Sequence, residues 1–141
     1  MITDRIAVGS CSSDYKDFDV IINLNYPENN TNENDISFYK KDGKLIICFG
    51  LIDNEKKEKE ALYGISEIVP ILYKYYRGRK ILFHCFAGMS RSVAFAVSYL
   101  CYSEEMTAND AYSLIKSKRK FVKVNDGFMK AIDSFEKKIR I

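Results

Sequence analysis

The sequence predicts an α/β fold: a mostly parallel central sheet of about five strands flanked by helices. Three observations lead there. Short runs rich in β-branched residues come early in the chain, and they are interleaved with longer stretches of helical periodicity. No internal repeat and no Pro/Gly/Ser-rich linker divides the 141 residues. At 47% hydrophobic and 29% charged, a chain of this length suffices for one well-packed core, so a single domain over 1–141 is expected.

The elements follow in order. Arg5–Gly9 and Asp19–Leu24 (DVIINL) are the first two strands. The polar stretch PENNTNEND, Pro27–Asp35, is expected to be a solvated connection. Ile36–Phe49 carries a hairpin signal: Asp42-Gly43 lies between the apolar stretches ISFY and LIICF, with Cys48 on the second strand. From Glu55 to Arg77 the residues Leu62, Ile65, Ile68, Val69, Leu72 and Tyr76 recur at helical spacing. Pro70 lacks a backbone donor and predicts a kink or break in that helix. Ile81–Cys85 is a short buried strand and Ser92–Tyr102 a mostly apolar helix. Thr107 caps a further helix with Ala111, Leu114 and Ile115 on one face. Asn125 or Asp126 caps the last, whose buried stripe is Phe128, Ile132, Phe135 and Ile139. Ligands of such sheets bind at the carboxyl ends of the strands, and Cys85 lies at one.

Composition excludes several classes. The opening MITDRIAVGS has no apolar segment behind basic residues, and the near-apolar run Val93–Leu100 is too short to span a bilayer. The expectation is a soluble cytoplasmic protein with nuclear access open, neither secreted nor membrane-bound, whose sequon Asn29-Asn30-Thr31 stays unmodified. Four cysteines without a C-x-x-C pair, and a single histidine, give no basis for a metal site, a disulfide framework or a cofactor. A net charge of +3 does not call for nucleic acid and suits an anionic substrate.

Chemistry concentrates in KILFHCFAGMSRS, Lys80–Ser92. A tight loop between a strand end and a helix N-terminus aims successive backbone N–H groups at one point, and the helix adds its positive end. Here that loop comprises Phe86, Ala87, Gly88, Met89, Ser90 and Arg91. Gly88 permits the steep turn, and Arg91 offers a planar fork to two oxygens of a phosphate. The same positive surroundings favour a thiolate, and Ser92 is placed to donate to the sulfur of Cys85. His84 is the chain neighbour of Cys85 and on a strand points to the opposite face, so no imidazole base is expected. Attack of sulfur on phosphorus expels a poor leaving group unless an acid protonates it. Asp53, in CFGLIDNE just past a predicted strand, is the candidate; Glu55 is its rival and Asp42, in a hairpin turn, a poor one.

HCFAGMSRS resembles the His-Cys-x5-Arg-Ser loop of cysteine-based protein phosphatases, most closely the small dual-specificity phosphatases. Asp53 precedes Cys85 by 85 − 53 = 32 residues, similar to that family's general acid. Arg119 and Asn125-Asp126-Gly127-Phe128 resemble its downstream arginine and Asn-x-Gly-Phe, and IAVGS its first strand. The resemblance implies a single-domain phosphatase fold and metal-free phosphomonoester hydrolysis of phosphotyrosine and phosphoserine/threonine in proteins. It makes Cys85 the nucleophile, Asp53 the acid and then base, Arg91 the phosphate ligand and Ser92 the aid to thiolate departure, with His84, Asn125 and a structural Arg119 in support. Lys120 and Val124 stand where many relatives have prolines, and Ala131 where a glutamine is often seen.

The expected partner is a phosphorylated protein and the expected state a monomer or weak dimer. An RNA 5′-phosphate is the alternative substrate. A phosphoinositide is disfavoured by a loop without lysines, and a phosphopeptide-binding pseudophosphatase by the presence of both nucleophile and acid. Cys48 and Cys101 are expected to be buried free thiols rather than disulfide partners of Cys85. The basic run 116–120 with Lys123 is expected to be a solvated helix end, and Tyr63, Tyr73, Tyr75 and Tyr76 to be packing and half-buried surface residues.

Overall fold

The computed structural model describes residues 1–140. The β-branched runs form strands at β1 (Ile6–Gly9) and β2 (Val20–Asn23). Asp42 and Gly43 both take positive φ, 54° and 77°, the pair required by the two-residue turn whose twist matches its strands. That turn joins β3 (Ile36–Lys41) to β4 (Lys44–Phe49), with Lys41 opposite Lys44. The fifth strand, β5 (Ile81–His84), inserts between β1 and β2. The order is β1-β5-β2-β4-β3, parallel except for the antiparallel edge pair β3–β4.

Alternation along the strands gives the sheet two unequal faces. Val20, Ile22, Ile47, Phe49 and Phe83 belong to the main core, shared with α1 (Glu58–Tyr76), α2 (Arg91–Ser103), α3 (Ala108–Lys118) and α4 (Asp126–Ile139). Ile21, Ile46 and Cys48 point the other way and are covered by Tyr15 and Phe18 from the β1–β2 connection. Helix α2 packs against each of the other three helices as well as β1 and β5. Its sequence is accordingly apolar nearly all round. Thr107 caps α3 by accepting from the N–H of Asp110 (3.1 Å), and Asn125 caps α4 by accepting from that of Phe128 (2.8 Å). Among the described residues no helix is long and apolar enough to cross a membrane.

Two expectations are refined. The break that Pro70 allowed for does not occur: helix α1 continues through it, after a 3₁₀ turn at Glu55–Lys57. An interior proline costs about 3 kcal/mol, but Ile65, Ile68, Val69 and Leu72 around it are fully buried, each contributing about 1.5–3 kcal/mol. Burial wins. The segment 27–35 is the solvated connection expected, with residues 27, 28, 30, 32, 33 and 35 exposed, and it is strapped to the sheet as well. The side-chain amide of Asn29 donates to the carbonyls of Asn23 (3.0 Å) and Phe49 (3.1 Å), at the ends of β2 and β4. Thr31 Oγ1 lies 2.9 Å from Ser37 Oγ, and the N–H of Asn34 donates to Gly50. Both hydrogens of the Asn29 amide are thus engaged on the nitrogen a glycan would occupy.

Candidate active site

Strands β1, β5, β2 and β4 end on one side of the sheet, and Cys85 follows directly on β5. Residues 85–91 then bend into a loop in which the carbonyls of residues 86–89 are engaged from outside. The carbonyl of Phe86 accepts from the N–H of Cys11 (2.9 Å) and that of Met89 from the N–H of Lys123 (3.0 Å). Those of Ala87 and Gly88 accept from Arg119, through Nη2 (3.2 Å) and Nε (2.8 Å). In a trans peptide the C=O of one residue and the N–H of the next point in opposite directions. Four outward carbonyls at 86–89 therefore turn the N–H groups of 87–90 toward the centre, a concavity suited to an anion.

The sulfur sits beneath that centre. Cys85 is 2% exposed, with its Sγ 3.2 Å from Ser92 Oγ and accepting from the N–H of Gly88 at 3.3 Å. As a thiolate the same sulfur accepts from the Ser92 hydroxyl. Gly88 has φ +70°, and a methyl there would overlap the Arg119 guanidinium. Two independent constraints thus require glycine at this position.

Arg91 is 7% exposed, and its Nη1 donates to the carbonyls of Leu24 (2.9 Å), Tyr26 (3.3 Å) and Leu51 (3.2 Å). The ends of β2 and β4 thus hold one side of the guanidinium. Its Nε is buried without a partner. A buried charged donor with no acceptor is costly, and an anion seated in the loop would relieve it.

His84 lies on the far side of the strand, its Nε2 2.7 Å from the hydroxyl of Tyr15. Burial pushes its pKa down to about 4, so the ring is neutral at physiological pH. The other two buried thiols, Cys48 and Cys101, are remote or inert. Cys48 lies two strands from β5, roughly 10 Å away, on the opposite face, where burial raises its pKa. A disulfide needs Cα atoms within about 7 Å. Cys101 is deep in α2, its thiol pushed up to about 11 by burial.

Asp53 lines the cleft of about 250 Å³ above Cys85, together with Phe86, Ser90, Arg91, Lys123 and Asn125. Its rival Glu55 is not on that cleft, and the cap of the 3₁₀ turn is Asn54, so Asp53 serves no capping role. The side chain of Asp53 is exposed. Its Oδ1 accepts from the Asn125 amide (3.0 Å), while the Asn125 N–H donates to Ser90 Oγ (3.2 Å). One asparagine thereby joins the carboxylate, the loop and the start of α4. Lys116, Lys118 and Lys120 are exposed as a solvated helix end should be, while Arg119 is structural: besides gripping Ala87 and Gly88 it donates to Val8 (3.2 Å) at the end of β1. The family resemblance had pointed to a structural part, but not to its targets, three carbonyls distant in sequence.

The catalytic-domain model of the dual-specificity phosphatases matches residues 4–138, and the chain belongs to that family. It is 29% identical over 122 residues to a putative tyrosine phosphatase, 123R, of Invertebrate iridescent virus 6, covering 85% of this chain and 76% of that one. It is 41% identical over 61 residues to human dual specificity protein phosphatase 9, covering 43% of this chain and 16% of that protein. In three dimensions it superposes on human DUSP28 with a TM-score of 0.79 at 16% identity, covering 99% and 96% of the two chains. That last likeness speaks for the fold alone.

Proposed function

We propose that the protein hydrolyses phosphomonoesters on phosphotyrosine and phosphoserine/threonine of protein substrates, without a metal, through a phosphocysteine. In this reading the loop N–H groups and the free Nε side of Arg91 hold the phosphate over Cys85. The thiolate attacks phosphorus, the bond to the leaving oxygen breaks, and Asp53 gives that oxygen its proton. Asp53, now a carboxylate, takes a proton from water as the water attacks phosphorus. The P–S bond breaks, inorganic phosphate departs, and the sulfur leaves as a thiolate accepting from Ser92 and Gly88. His84 supports the strand end, and Asn125 orients the acid.

The observation that carries this reading is the outward engagement of the four carbonyls from Phe86 to Met89, which leaves a preformed anion cradle beside a buried sulfur. The test is hydrolysis of an aryl phosphate by the purified protein in the presence of a chelator. Turnover is expected to persist, and to fall by at least ~10⁴-fold in Cys85→Ser. A Cys85→Ser variant that kept its rate would sink the mechanism. Assaying phosphotyrosine peptide, phosphothreonine peptide and triphosphate-ended RNA side by side ranks the substrate classes.

A further inference from the structure

The cleft above Cys85 does not end at the phosphate loop. A second cleft of about 470 Å³, lined by Ala87, Met89, Arg119, Lys120 and Phe121, shares Ala87 and Met89 with it. The two are separate lobes on either side of one piece of loop backbone. Phe121 is 67% exposed and Phe86, at the lip of the first cleft, 63%. Each of the two adjoining clefts thus has one phenylalanine standing in solvent at its edge.

Charge adds a second attribute. No acidic residue lines the second cleft, and the one acid lining the first is Asp53. Arg119 spends its guanidinium on backbone carbonyls. Lys120 is uncommitted to any carboxylate within ion-pair distance among the described residues, and its Nζ lies 5.5 Å from the centroid of Phe121. Lys123 stands at the junction, its backbone N–H donating to Met89. Segment 119–123 is therefore clamped to the phosphate loop at both ends, and the subsite keeps a set distance from the nucleophile. Such a pre-organised site gains affinity by having little left to order on binding.

We infer that this second lobe is a substrate-sequence subsite: it takes a large apolar side chain of the phosphoprotein on Phe121 and Met89, with an acidic residue beside it against Lys120. The assignment rests on the protein-phosphatase reading above and adds the class of segment preferred. A peptide is favoured over a nucleic acid because the floor is apolar and its one uncommitted cation is at the rim, whereas a backbone of phosphates asks for a continuous basic track.

The test uses phosphotyrosine peptides in which positions on either side of the phosphorylated residue are scanned as Leu/Glu, Ala/Glu, Leu/Lys and Ala/Lys pairs. Wild-type kcat/KM is expected to be at least ~10-fold higher for the best Leu/Glu peptide than for its Ala/Lys counterpart. Phe121→Ala should erase the leucine preference and keep the glutamate preference; Lys120→Glu should do the reverse. Circular dichroism and the rate on an aryl phosphate report whether each variant is folded. Rates within twofold across all peptides would overturn the subsite while leaving the phosphatase reading intact. Turnover of aryl phosphate with none of any peptide would overturn both. Selective loss on triphosphate-ended RNA in Phe121→Ala, with peptides undiscriminated, would assign the lobe to nucleic acid instead and overturn the proposal.

Discussion

The loop 85–91 and the segment 51–54 face each other across the same cleft, and they are held in contrasting ways. Every carbonyl from Phe86 to Met89 is engaged from outside, the sulfur is buried, and Arg91 is fastened to three carbonyls at the ends of two strands. Asp53 is exposed and is held by a single hydrogen bond from Asn125. In the proposed mechanism the difference is functional. A phosphate cradle stabilises developing charge only if its donors are in place beforehand. An acid that must protonate a leaving group and later deprotonate water benefits from a looser tether.

The contrast can be broken at either end. The largest effect short of removing the nucleophile is expected from Asp53→Asn: a ~10²–10⁴-fold drop in kcat/KM, which reports the step that expels the leaving group, on esters with poor leaving groups. The loss should shrink toward nothing for leaving groups that need no proton, and inhibition by orthovanadate should be unchanged. A uniform loss across leaving groups would remove Asp53 from the acid role. Arg119→Ala is expected to act on the other half, weakening vanadate binding and lowering kcat/KM about 10²-fold through misplacement of the loop. Gly88→Ala should reproduce it, because a methyl would displace the same guanidinium. Unaltered vanadate affinity in Arg119→Ala would show that the external bracing is dispensable.

His84 offers a thermodynamic handle beneath the loop. Its pKa is lowered to about 4 by burial, against about 6.5 when unfolded, so between those values the unfolded chain binds the extra proton. The contribution is fully present above about pH 6.5 and is lost as pH falls toward 4. By linkage, unfolding free energy measured in denaturant should drop by about 2 kcal/mol between about pH 7.5 and about pH 5, on top of any contribution from other groups. His84→Gln should show a flatter dependence by that amount; an identical slope would contradict the assignment. The smallest effect is expected at Asn125→Ala, with about 1 kcal/mol lost from the cap of α4 and roughly tenfold in kcat from the untethered acid. A kcat equal to wild type would mean the tether has no bearing on turnover.

The same contrast governs what was legible in the sequence. Strand and helix periods, the Asp42-Gly43 turn and the cap residues Thr107 and Asn125 are local signals, and the structure follows them. So is the Cys85–Ser92 spacing, since a strand end, a tight loop and a helix start are contiguous in the chain. The outward ties are not local. Arg119 reaches carbonyls at 8, 87 and 88, and the Asn125 amide reaches Asp53, partners that only the closed fold brings together. Asn29 was obscured for the same reason, its polar neighbourhood suggesting a loop in water while its targets lie on two strand ends. Pro70 suggested a break that does not occur, because the local backbone penalty was read without the burial on either side of it.

The strand order has a consequence for how this protein comes into being. β5 is the fifth strand made but sits between the first and second, so its two seams join residues separated by about sixty to seventy-five positions. Closing such distant pairings is the slow, entropically expensive part of folding. The loop that follows β5 therefore takes its shape only once these two seams have closed. Partly folded molecules, however helical, should be silent in an assay. Regain of phosphatase activity during refolding would then count completed molecules one by one, and is expected to lag the recovery of helical circular dichroism.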